Sequence, residues 1–139
     1  MILFIDDNAK RVQTDVDELK KRGLNVVLVN SADAAVTYLQ DPTTSIEAVV
    51  CDIMMPPGAF GGDLTRDGLR SGLSIVHSIR EISPTLPVVV FTNVAREDLG
   101  SSLLFGKHSL YLHKPDYLPR NFADRVVRFL QEERKGPGQ

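Results

Sequence analysis

Two adjacent acids, Asp6 and Asp7, follow directly on the apolar run Ile2–Ile5, and Asp52 follows the run Ala48–Cys51. Thr92 closes Val88–Phe91, and Lys114 stands just beyond Leu110–Leu112. If the first and third runs are neighbours, three carboxylates converge, and like charges at that spacing repel unless a proton or a divalent cation compensates them. Magnesium keeps several waters and takes one or two carboxylates plus a phosphate, so it suits this small acidic set better than an all-protein calcium cage. A hydroxyl from Thr92 and an ammonium from Lys114 complete the parts for phosphoryl transfer to a carboxylate: a nucleophile, a counter-charge, and donors for the phosphoryl oxygens. The product of such chemistry is an acyl phosphate.

These residues can meet only if the elements that carry them end on one edge. The runs Ile2–Ile5, Val26–Val29, Ala48–Cys51, Val88–Phe91 and Leu110–Leu112 are too short for helices and nearly continuous in hydrophobicity, as parallel strands buried on both faces are. Helical spacing fills the gaps. Residues 9–22 carry Val12, Val16 and Leu19 on one face and stop at Gly23; residues 32–40 begin after Ser31 and end before Pro42. Residues 73–82 present Ile75, Val76, Ile79 and Ile82 before Pro84, a weaker pattern covers 96–105, and 119–135 turns Phe122, Val126, Phe129 and Leu130 inward. Strand and helix alternate five times, which predicts right-handed crossovers and a doubly wound α/β sheet with its ligand edge at the carboxyl ends of the strands.

Composition narrows the function classes. The chain has 139 residues, enough for about one domain that folds without staples, and a single cysteine, which excludes an intrachain disulfide and a multi-cysteine zinc site. That usage fits a reducing, cytoplasmic compartment. No apolar run approaches the roughly 20 residues that span a bilayer, and Asp6 and Asp7 end the first run too early for a signal peptide. With 16 basic against 18 acidic side chains, there is no basic excess to match a phosphate backbone. We therefore expect neither a membrane nor a nucleic-acid partner.

Four strings carry a resemblance: Phe-Ile-Asp-Asp-Asn (4–8), Val-Val-Cys-Asp-Ile-Met-Met-Pro (49–56), Val-Val-Val-Phe-Thr (88–92) and Leu-His-Lys-Pro (112–115). In this order, at strand ends, the sequence resembles the receiver domain of two-component response regulators over about residues 1 to 134. The resemblance implies a flavodoxin-like fold with sheet order 2-1-3-4-5 and five helices; since it spans nearly the whole of a chain with no room for a second domain, we expect a stand-alone receiver with a tail at 135–139 and no output domain. It implies that Asp52 accepts the phosphoryl group. Asp7, Asp52 and the backbone carbonyl of Met54 would ligate Mg2+ directly, with Asp6 acting mainly through metal-bound water. Thr92 would hydrogen-bond the new phosphoryl group and Lys114 would pair with it. Tyr111 would be the aromatic that swings inward when the threonine is recruited, and Pro115 would follow a cis peptide bond. A histidine kinase or histidine phosphotransfer protein would supply phosphate, and the signal would leave through a protein target or a homodimer.

Where the sequence departs from the family, the departures have consequences. Residues 58–72 hold five of the ten glycines, and the equivalent of the family's Asp-Gly pair is Ser71-Gly72, displaced by this insert. Such a connection is long for an α/β unit, and reads either as a lid beside Asp52 or as a surface loop. Positions two beyond the phosphoacceptor and two beyond the threonine, which in the family influence attack by water, are Met54 and Val94. Neither side chain can orient a water, so slow self-dephosphorylation is expected.

Other readings stay beside this one. A pseudo-receiver would keep the fold as a protein interaction module that no longer uses phosphate. A phosphatase of the haloacid dehalogenase kind would need an acid at position 8, which is Asn, and no Gly-Lys-Ser/Thr loop supports a nucleotide site. Cys51 reads as a small buried hydrophobe, and His77, His108 and His113 lack metal-ligand spacing. Arg120, Arg125, Arg128 and Arg134 mark a solvated helix face.

Overall fold

The chain is described by a computed structural model in which residues 1–53, 68–95 and 107–135 are described, with the side chains of 68–74 excepted. Its strands are β1 (Ile2–Ile5), β2 (Val26–Val29), β3 (Ala48–Cys51), β4 (Val88–Thr92) and β5 (Ser109–His113). All pair in parallel, in the order β2-β1-β3-β4-β5. The helices are α1 (Ala9–Lys21), α2 (Ala32–Gln40), α3 (Gly68–Ile82) and α4 (Pro119–Lys135). The order reverses direction beside β1, so β1 and β3 end at the switch point where the carboxyl edge of such a sheet opens.

Alternation along each strand sorts the core into two layers. Ile2 and Phe4 of β1, Ala48 and Val50 of β3, Val89 and Phe91 of β4 and Leu112 of β5 pack with Val12, Val16 and Leu19 of α1 and Phe122, Val126 and Phe129 of α4. Leu3, Ile5, Val49, Cys51, Val88 and Val90 leave by the other face, toward Ala32 and Ala35 of α2 and Ile75, Val76 and Ile79 of α3. On the first face the Phe91 and Phe122 rings stack with centroids 4.2 Å apart, and Phe4 lies 6.0 Å from Phe122. Two arginines tie neighbouring elements at the margins of the fold. Arg22 reaches Asp124 of α4 at 2.7 Å and Glu18 at 2.8 Å. Arg80 of α3 donates to the carbonyls of Leu86 at 2.5 Å and His108 at 2.7 Å and to Ser109 Oγ at 2.8 Å, which fixes where β5 starts.

Three expectations need adjustment. Helix α3 begins at Gly68 rather than Leu73, so the last residues of the 58–72 segment are helical. Gly68 and Gly72 are poor helix formers, but once Ile75, Val76 and Ile79 are packed the nucleation cost is already met and each added turn is cheap. The strands β4 and β5 run on to Thr92 and His113, beyond the purely apolar stretches. Four α-helices are found among the described residues; the one expected over 96–105 lies outside them, as do Met54 and residues 58–67. Among the described residues no helix is long and apolar enough to cross a membrane.

Candidate functional site

The sheet ladder continues into the acidic residues. Asp6 N–H donates to the Val29 carbonyl at 3.0 Å and Asp52 N–H to the Ile5 carbonyl at 3.1 Å, so both acids hold fixed positions one step beyond the paired residues Ile5 and Cys51. Carrying the alternation forward one step places Asp6 after Phe4 and Asp52 after Val50, on the α1/α4 face, and Lys114 after Leu112 on the same face. The turn that follows Asp6 is built locally. Asn8 N–H donates to Asp6 Oδ1 at 2.9 Å, and the Asn8 side chain caps α1 by accepting from Arg11 N–H at 3.3 Å.

The three side chains meet. Lys114 Nζ donates to Asp6 Oδ2 and to Asp52 Oδ2, each at 2.8 Å, and all three are removed from solvent, with 1% of the Asp6 side chain, 7% of Asp52 and 11% of Lys114 exposed. Burial pushes the Asp6 carboxyl up, since desolvation outweighs the pull of Lys114 and of the Asn8 N–H, and the Asp52 charge adds to the rise. Burial alone would lower Lys114, but Asp52 and Asp6 together hold its ammonium above the usual range. Its Nζ also lies 5.6 Å from the centre of the Phe91 ring. Cys51, beside these charges, has its thiol pushed up by burial, with Asp52 and Asp6 adding, and is an inert core residue rather than a nucleophile.

The remaining expected site residues are placed differently. Asp7 is exposed at the rim. Thr92 is fully buried and its Oγ1 accepts from Val94 N–H at 3.3 Å; Tyr111 packs against the α2/α3 layer and donates its hydroxyl to the Val94 carbonyl at 2.5 Å. The cis bond expected before Pro115 is absent: no peptide bond among the described residues is cis. Pro115 stands instead near the start of a short 3₁₀ turn, Lys114–Asp116, where its fixed φ and missing N–H are at no disadvantage.

Asp15 was not singled out by the sequence, and His113 was weighed there only as a metal ligand. Asp15 of α1 is buried, and desolvation pushes its carboxyl up to about 6, with Lys114 opposing and Asp6 adding. The signal was the spacing of Val12, Asp15, Val16 and Leu19, which sets an acid on the apolar face of the helix. His113 Nε2–H donates to the Asn93 carbonyl at 3.1 Å, since a carbonyl oxygen only accepts and the proton must therefore be on that nitrogen. A cleft of about 220 Å³ opens beside the ionic cluster between Arg11 and Asp15 of α1, Asn93, Lys114 and Tyr117.

Whether these donors suit a divalent cation can be judged from their chemistry. Asp6 and Asp52 offer hard oxygen ligands in a buried place with Asp7 adjacent in sequence, which fits magnesium. Among the described residues no group of three or more His, Cys, Asp or Glu side chains is drawn together for one ion, and the carbonyl expected from Met54 lies outside them.

Comparisons with known proteins find the same fold. A CheY-like receiver domain protein from Methanospirillum hungatei JF-1 superposes with a TM-score of 0.75 at 20% identity, covering 96% of this chain and 95% of that one. A receiver protein from Sinorhizobium medicae WSM419 gives 0.72 at 25% identity, over 95% and 94% of the two chains. A receiver domain protein from Clostridium thermocellum gives 0.71 at 24% identity, over 96% of each. No curated protein sequence matches significantly. Residues 2–121 match the sequence pattern described as the response regulator receiver domain, and the chain, with that sheet order and that carboxyl edge, belongs to this family of two-component signalling domains.

Proposed function

We propose that the chain is a phosphoaccepting receiver that takes a phosphoryl group on Asp52 in the presence of Mg2+ and passes the signal on by protein contact. The observation that carries this reading is the buried ionic cluster in which one ammonium, Lys114, serves both Asp52 and Asp6 at 2.8 Å on the carboxyl edge of the sheet. A carboxylate oxygen of Asp52 attacks the phosphorus of a phosphohistidine on a histidine kinase or phosphotransfer protein; the P–N bond breaks and the imidazole leaves with a proton. Lys114 shifts from the carboxylate to the oxygens of the new acyl phosphate, and the Thr92 hydroxyl donates to them. Asp6, Asp7, Asp52 and the Met54 carbonyl would hold magnesium, which neutralises charge on the transferring group. Tyr111 and Thr92 then report the modified state to the surface.

We place the protein in the cytoplasm, with a downstream protein target or a second copy as recipient. The competing reading is a phosphorylation-independent interaction module. It is favoured by the lack of a three-carboxylate cluster among the described residues.

Intact mass after incubation with acetyl phosphate and magnesium decides between them. The expected result is a gain of one phosphoryl group that requires magnesium and is absent in Asp52→Asn. A folded parent chain that neither gains mass nor binds magnesium would leave the interaction module as the reading.

A further inference from the structure

We propose that His113 is a positioning residue whose Nε2–H, donated to the Asn93 carbonyl, holds the turn after Thr92 in place and so opposes movement of Thr92 toward a phosphorylated Asp52. The inference rests on the phosphoacceptor reading given above and adds a restraint that reading does not contain.

Thr92 and His113 are register partners at the ends of β4 and β5. Side chains two apart on a strand share a face, so Tyr111 and His113 both leave β5 on the side where the chain turns after Thr92. There the polar backbone groups of two consecutive residues are held by three side chains from the strand ends. The Asn93 carbonyl accepts from His113 at 3.1 Å, the Val94 carbonyl accepts from Tyr111 at 2.5 Å, and the Val94 N–H donates to Thr92 at 3.3 Å. Thr92 is contiguous with this turn, so any shift of its hydroxyl must be taken up by Asn93 and Val94. Two anchors on consecutive carbonyls resist that shift, and one of them is His113.

Removing this anchor need not harm the fold. Asn93 is exposed, so its carbonyl finds water when the imidazole is gone, and no buried polar group is orphaned. The conformation with Thr92 recruited then becomes easier to populate, and a form that is easier to populate is phosphorylated faster.

The test compares the parent with His113→Leu and His113→Gln. In His113→Leu, phosphoryl uptake from acetyl phosphate and hydrogen exchange of the Val94 amide both rise about threefold to tenfold, the shift one hydrogen bond of ordinary net strength carries, while the urea midpoint falls by no more than the loss of that one bond. In His113→Gln, whose amide N–H can reach the same carbonyl, both return toward the parent values. Unchanged uptake and exchange in His113→Leu would overturn the proposal, as would a glutamine variant that behaves like the leucine one. If the parent takes up no phosphoryl group, the phosphoacceptor reading fails by itself. The exchange of the Val94 amide then decides the restraint alone: faster exchange in His113→Leu upholds it and unchanged exchange refutes it.

Discussion

Lys114 Nζ reaches Asp52 Oδ2 at 2.8 Å although β4 lies between the strands that carry the two residues. Crossing two strand spacings means about 9–10 Å at the backbone, and the lysine manages it by passing its ammonium 5.6 Å from the Phe91 ring centre, on the same face of β4. The aromatic ring is thus a support for the cation as well as part of the core. The same ammonium serves Asp6, so one positive charge balances two buried carboxylates.

That sharing sets a stability prediction. Lys114→Met leaves Asp6 and Asp52 buried without their cation, a change that costs about 3–5 kcal/mol when a partner is removed from a buried pair. Urea unfolding without divalent ions shows the full loss. Millimolar magnesium restores a larger part of the stability in the variant than it adds to the parent, because in the variant no ammonium competes for the carboxylates. An equal effect of magnesium on both proteins would count against a cation site at Asp6 and Asp52.

Asp15 gives a pH-dependent prediction. Its carboxyl is raised from 3.8 to about 6 in the folded protein, chiefly by burial. The folded state therefore holds this proton more tightly than the unfolded one. Below the unfolded value both states are protonated and the group costs nothing; between about pH 4 and 6 the unfolded chain ionises first, and stability falls by an amount of at most about 3 kcal/mol. Asp15→Asn abolishes the loss, so its gain over the parent is near zero at pH 4 and reaches about 1–3 kcal/mol at pH 7. Urea midpoints of both proteins across this range check it, and a gain independent of pH would show that ionisation of Asp15 is not the cause.

The parts of this site legible in the sequence are those fixed by strand ends. Asp6, Asp52 and Lys114 each terminate a short apolar run, and parallel pairing then leaves them one edge to share. Asp15 was not legible as a site neighbour, because its place on the apolar face of α1 signals burial but not what lies opposite until the packing of α1 is known. The His113 contact depends on where β5 ends and how the chain turns after Thr92, and the apolar run Leu110–Leu112 stops short of it. The early start of α3 at Gly68 was hidden by glycine's low propensity, which packing overrides. The cis bond at Pro115 was carried by resemblance alone, and here the 3₁₀ turn forms around a trans bond.

Val94 bears on how long the phosphorylated state lasts. Its side chain is half-buried and packs against the α2/α3 layer, while its N–H and carbonyl are engaged by Thr92 and Tyr111. An isopropyl group neither donates nor accepts, so it cannot orient a water for attack on an acyl phosphate at Asp52. The adduct is therefore expected to persist for minutes to hours after the donor is removed, followed as decay of the phosphorylated mass. Val94→Gln adds a donor and an acceptor at that place without altering the two backbone hydrogen bonds, and shortens the lifetime by up to about 10²-fold, the lower end of what a positioned polar group contributes. A parent lifetime of seconds, or a glutamine variant as long-lived as the parent, would show that hydrolysis is governed from elsewhere in the site.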